Sequence, residues 1–252
     1  MTSTEPRAAD AAAPKHRRSR TWKVVAGVIV VFFAIVAAAQ FLPGQSGSSP
    51  PPASSETSSA DKPADGTQEL DFVRRTADDP MAIGDVDAPV VMTEWIDLRC
   101  PFCAVVSRDT MPTLIEKYVD TGKVRIEFYD VAYFGEKSED AAVAARAAGN
   151  QDKYVEFVTA VYAAAPERGH PDLPRDALID FAKKAGVPDV DRFTAELDDP
   201  GLREDVQKST RSAQQLGVTG VPFFVTGRTA LSGAQPTGNF EKFLDEALAE
   251  AR

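Results

Sequence analysis

The chain has 252 residues, 43% of them hydrophobic and 26% charged, which allows one sizeable domain with attachments. Residues 1–42 hold six Lys/Arg against two Asp/Glu, leaving 22 basic and 36 acidic residues, a net of −14, for 43–252. An acidic body excludes nucleic acid and anionic lipid surfaces as partners of the folded part.

Residues 1–21 form a short basic segment. From Val24 to Leu42 there is no charge and a single polar side chain, Gln40. As a helix this run spans about 28 Å, close to the hydrocarbon thickness of a bilayer. Residues 22–42 therefore read as a transmembrane anchor. Lys15, Arg17, Arg18, Arg20 and Lys23 keep the N-terminus cytoplasmic and send the remainder across the cell membrane in a single pass. A cleaved signal peptide ending at Ala37-Ala38-Ala39 is the competing reading, and it exports the body equally. Residues 43–68 are Pro/Ser-rich and nearly free of large apolar side chains, so they read as a disordered linker. The folded domain is expected over 69–252.

Residues 90–97, VVMTEWID, predict a buried strand that runs straight into the Cys100-Pro101-Phe102-Cys103 stretch. A helix is expected from about Cys100 to Asp120, kinked or broken at Pro112, which lacks an amide donor. Residues 123–129, KVRIEFY, alternate. They predict a strand with Val124, Ile126 and Phe128 inside and Lys123, Arg125 and Glu127 on a wet face. A helical insertion, four or five short helices over about 138–214, follows. Tyr154, Phe157, Val158, Val161 and Tyr162 form one of its apolar stripes. Residues 222–225 and 228–232 predict a hairpin turning at Thr226-Gly227. A final amphipathic helix carries Phe240, Phe243 and Leu244, with Asn239 as its N-cap. The element order indicates an α/β sandwich with a helical insertion.

Cys100 and Cys103 are the only cysteines. A structural bridge closing four residues stabilises by only about 2 kcal/mol in the loop-entropy view. A zinc site wants four ligands, and the domain offers one further soft ligand, His170. Redox exchange needs one attacking sulfur and a second within reach to resolve the mixed disulfide, which two intervening residues at a helix start supply. Cys100 at the first turn would sit by free amides and the positive end of the helix dipole, both favouring thiolate, with Cys103 one turn along and more buried. Pro101 suits the first helical position. Glu94, six residues before Cys100, either points inward as a proton relay with a raised pKa or turns to solvent. Arg99 either assists the thiolate or is a solvated surface arginine. In TGVPFFV, Pro222 opens an apolar strand without a donor; a cis Val221–Pro222 bond beside the redox pair is one explanation.

Together GDVDAPVVMTEWIDLRCPFC, TGVPFFV and the following SGAQP resemble the DsbA-like thiol–disulfide oxidoreductases, over most of 69–252. The resemblance implies a thioredoxin fold with an inserted helical subdomain. It implies Cys100 as nucleophile, Cys103 as resolving thiol, Glu94 as buried acid, and a cis bond between Val221 and Pro222 at the client-binding wall. No cofactor is implied beyond the Cys100–Cys103 disulfide. The implied partners are exported client proteins with free cysteines and a quinone-linked membrane reoxidant. Well-known oxidising members carry Pro-His between the cysteines. Here Pro101-Phe102 stands instead, and Phe102 offers neither charge nor a hydrogen bond to the Cys100 sulfur, which leaves the oxidising strength open. An exported reductase or isomerase, and a non-catalytic binding protein or chaperone on the same scaffold, are the alternatives.

Overall fold

In a computed structural model, which describes residues 70–251, five strands form one mixed sheet. The strands are β1 (Ala82–Ile83), β2 (Val90–Ile96), β3 (Val124–Asp130), β4 (Phe223–Thr226) and β5 (Thr229–Ser232), in the spatial order β1-β3-β2-β4-β5. Strands β2 and β3 run parallel, and every other pair is antiparallel. A parallel pair needs a long crossover, here the helical run α1, from Pro101 to Val119. The VVMTEWI strand is central and buried at all seven residues. It meets helices on one face and an aromatic cluster on the other. The anchor and linker expected at 22–42 and 43–68 lie outside the described residues. Among the described residues no helix is long and apolar enough to cross a membrane.

The run α1 consists of an α-helical stretch Pro101–Val105, a π-helical segment Val106–Thr110, a second α-helical stretch Met111–Leu114 and a π segment Ile115–Val119. Of the kink or break expected at Pro112, the break does not occur. The helix widens instead, and the Met111 amide donates to the Val106 carbonyl five residues back. Such wide turns accommodate a residue that the regular hydrogen-bond ladder cannot.

The helical insertion between β3 and β4 comprises five helices: α2 (Glu136–Gly149), α3 (Tyr154–Ala163), α4 (Arg175–Ala185), α5 (Val190–Glu196) and α6 (Pro200–Gln215). It is fastened to the sheet near Asp130. The Asp130 carboxylate takes two hydrogen bonds from Arg146 at 2.8 and 2.6 Å, and its carbonyl accepts from Ser209 Oγ. After the hairpin β4–β5, which turns at Gly227-Arg228, one residue later than expected, α7 (Thr237–Glu250) packs Phe240, Phe243 and Leu244 into the core. Pro236, not Asn239, stands at the N-cap position and gives no side-chain cap; Asn239 lies within the first turn.

The wet face expected for β3 is a second correction. Lys123 is exposed, but it precedes the strand, while Arg125 and Glu127 are 4% and 0% exposed. They pair at 2.9 Å, and residues 74–76 cover them. The amides of Arg74 and Arg75 donate to the two Glu127 carboxylate oxygens at 2.8 and 2.9 Å, and Arg125 donates to the Thr76 and Gly84 carbonyls. Buried charges persist only where pairing and further hydrogen bonds replace water, and both conditions are met. The same covering segment places Phe72 edge-on against Trp95, which also stacks on Tyr129.

Candidate active site

The redox pair stands where β2 hands over to α1. The Cys100 amide donates to the Asp97 carbonyl in a tight turn. Cys100 itself is the N-cap in extended conformation, and Pro101 takes the first helical position, where a missing donor costs nothing. The Cys100 sulfur accepts from the Cys103 amide at 3.4 Å, and its S–H faces the Val221 carbonyl at 3.5 Å. The Val221–Pro222 bond is cis. Strand pairing with β2 begins only at Phe223, opposite Trp95, so Val221 precedes the ladder. Phe102 projects outward and is 61% exposed.

By exposure the two sulfurs hardly differ. Both cysteines are buried, Cys100 at 2% and Cys103 at 1% exposed. The difference is electrostatic. Cys100 is held below the ordinary thiol pKa, first by a hydrogen bond from Cys103, then by the amides of Cys103 and Phe102; burial and the Asp97 charge oppose this. Cys103 is pushed well above it, first by burial and then by its bond to Cys100. A helix start that offers amides to one sulfur and encloses the other produces this split.

Glu94 points inward. Its register partners on the neighbouring strands are Phe128 and Phe224, and it is 3% exposed. Burial pushes its pKa from 4.5 up to about 8, and its Oε2 has no hydrogen-bond partner. The negative charge of Glu94 also weighs on Cys103, so the acid and the enclosed thiol sense one another.

Four further residues take part in the site in ways the sequence did not show: Asp97, Tyr162, Arg99 and His170. Asp97, at the end of β2, is fully buried. Its Oδ1 accepts from the Arg99 amide and Ser138 Oγ, both at 2.9 Å, and its Oδ2 accepts from the Tyr133 amide at 2.8 Å. Burial raises its pKa and these donors oppose the rise. Tyr162 donates to the Asp97 carbonyl at 3.0 Å. Arg99 is neither solvated nor aimed at the thiolate. It is half-buried and donates to the Pro171 and Phe134 carbonyls, tying the site to the insertion. His170 is exposed, stacks on Phe134 and bonds the Arg99 carbonyl through Nδ1. The only advance signal for Asp97 was a charged residue ending an apolar strand; its partners lie about 40 residues further on.

Comparison with known proteins agrees with this geometry. The sequence profile of the family described as Thioredoxin matches residues 76–246. A Bacillus cereus protein named as a probable disulfide bond formation protein D is 32% identical over 153 residues, covering 59% of this chain and 71% of that protein. The disulfide bond formation protein D of Bacillus subtilis is 25% identical over 142 residues, covering 56% of this chain and 64% of the relative. Among solved structures, oxidised BdbD from Bacillus subtilis superposes with a TM-score of 0.63 at 22% identity, over 67% of this chain and 92% of that one. Wolbachia pipientis α-DsbA1 superposes with a TM-score of 0.60 at 23% identity, over 68% and 92%. At those identities the two structures speak for the fold alone. With the profile and the Bacillus cereus relative, the chain belongs to the thioredoxin family, among its DsbA-like thiol–disulfide oxidoreductases.

Proposed function

We propose that the protein is an oxidase that introduces disulfides into exported proteins, acting outside the cytoplasm from a single-pass membrane anchor. The observation that carries the proposal is the opposite displacement of two thiols one helical turn apart, Cys100 made acidic and Cys103 made basic, above a buried carboxyl. A client thiolate attacks the Cys100 sulfur of the oxidised pair. The Cys100–Cys103 bond breaks, a Cys100–client bond forms, and the electron pair leaves on Cys103. Glu94, largely protonated at neutral pH, is placed to give Cys103 its proton. A second client thiolate then attacks the client's own sulfur, closing the client disulfide and releasing Cys100 as its stabilised thiolate. Good leaving ability at Cys100 follows from its lowered pKa. Two electrons then rest on the pair, and a membrane reoxidant linked to quinone removes them.

The Val221 carbonyl, 3.5 Å from the Cys100 sulfur, supports a role for Val221 and Pro222 as the wall against which an extended client segment lies. Exposed Phe102 adds an apolar contact at the mouth. Mixing the oxidised full-length protein with a reduced, unfolded client tests the proposal. One client disulfide should form per protein molecule, and Cys100→Ala should abolish it. Failure of the oxidised protein to convert client thiols, together with a reduction potential as low as that of thioredoxin, would make it a reductase instead.

A further inference from the structure

A cavity of about 120 Å³ lies between α1 and α3, roomy enough for several waters if polar groups hold them. Its buried polar lining residues are Glu94, Tyr154 and Tyr162. Tyr154 opens α3, is 1% exposed, and its hydroxyl has no hydrogen-bond partner, like Glu94 Oε2. Two orphaned polar atoms on one cavity wall call for an explanation, since buried hydroxyls and carboxyls are nearly always satisfied. The other two buried orphans, Thr93 and Thr226, do not line this space. The half-buried Ser107 and the exposed Thr159 also line it, which connects it to solvent, and Met111 and Pro112 wall it from α1. Pro112 and the π segment carrying Ser107 thus border the very space that Glu94 faces.

We propose that the Tyr154 hydroxyl, through water held in this cavity, hydrogen-bonds and positions the Glu94 carboxyl, and that this hydrated space is where Glu94 exchanges protons with solvent. Tyr154 is then a positioning residue acting through Glu94; the inference rests on the reading of Glu94 as proton relay. Among the described residues, Glu94 lies beside Phe128 and Phe224 on the adjacent strands and interacts electrostatically with Cys103 of α1 and with Tyr154 and Tyr162 of α3; Tyr154 also senses Asp130, Arg146 and Arg74, more strongly than Glu94. Of the two tyrosines, Tyr162 is committed to the Asp97 carbonyl. Tyr154 is the remaining neutral donor.

The test is a titration of the Glu94 carboxyl carbon by NMR in the oxidised full-length protein, where neither cysteine titrates. A donor stabilises the ionised carboxyl, so Tyr154→Phe should raise the Glu94 midpoint by about one pH unit, tenfold in its dissociation constant. A purely structural tyrosine, its hydroxyl unpartnered, would leave the midpoint in place, and that result overturns the inference. A second measurement needs no variant. Long-lived water should give cross-peaks to the Tyr154 ring protons, and their absence overturns the inference as well. Turnover of the reduced client by Glu94→Gln judges the relay reading separately. Undiminished turnover removes the relay, whereas the midpoint shift decides the contact with Tyr154.

Discussion

Replacing Glu94 with glutamine should stabilise the protein, by an amount that grows with pH. The carboxyl titrates near 4.5 when unfolded and at about 8 when buried. Between those values the native state keeps a proton that the unfolded state releases. Native protein therefore binds more protons, and stability falls as pH rises through that window. At about 1.4 kcal/mol per pH unit the loss reaches about 3 kcal/mol at pH 7 and levels near 5 kcal/mol above the native midpoint. Glutamine presents nearly the same shape and does not titrate. Urea denaturation of the oxidised wild type and of Glu94→Gln across this range is the assay. The two curves should nearly coincide at pH 4 and separate progressively up to about pH 8. A separation that is constant with pH would refute the reasoning, because it would mean that Glu94 titrates in the folded protein as it does in the unfolded chain. The substitution should also slow client oxidation, so stability and activity move in opposite directions.

Three further outcomes follow from the site and its supports. In the reduced protein at neutral pH an alkylating reagent should label Cys100 well before Cys103, as mass mapping of quenched samples will show; equal labelling would contradict the split in acidity. Asp97→Asn should lower the Cys100 pKa, followed by ultraviolet thiolate absorbance, because it removes a nearby negative charge. It should also cost about 1–3 kcal/mol of stability, since one of the three donors to Asp97 loses its acceptor. Glu127→Gln should destabilise by about 3–5 kcal/mol in urea denaturation, because it strands the buried Arg125 charge, while client oxidation by the folded fraction stays unchanged.

The chemistry was legible because it is local. Two sulfurs three residues apart, a proline after the first and an apolar strand before it form one continuous stretch; the direction of Glu94 was open in the sequence, and it is inward because both faces of β2 are covered. What escaped depends on distant chain. Arg125 and Glu127 read as a wet face because their cover, residues 74–76, holds no regular structure and no periodicity. Strand β1 has two residues and left no pattern. Asp97 gained its meaning from Ser138 and Tyr133, and Arg99 from Pro171 and Phe134, across the junction with the insertion. Pro112 was read by the rule for a regular helix, and the structure met the missing donor by widening the turn.

The hydrogen-bonding neighbours Cys100 and Val221 stand 121 residues apart in the chain. At synthesis rates of about 5–20 residues per second, roughly 6 to 24 s separate the appearance of the two. During that interval β3 has been made but β4, the strand that brings Phe224 against Glu94, has not. The wall beside the sulfurs does not yet exist, and the carboxyl below them has no low-dielectric enclosure to raise its pKa. Until β4 is made, the chain carries its two thiols without the finished site, as its proposed clients carry theirs. An older, already oxidised copy of the chain could serve it as it serves them, so that the first disulfide in a new molecule is a product of its predecessors.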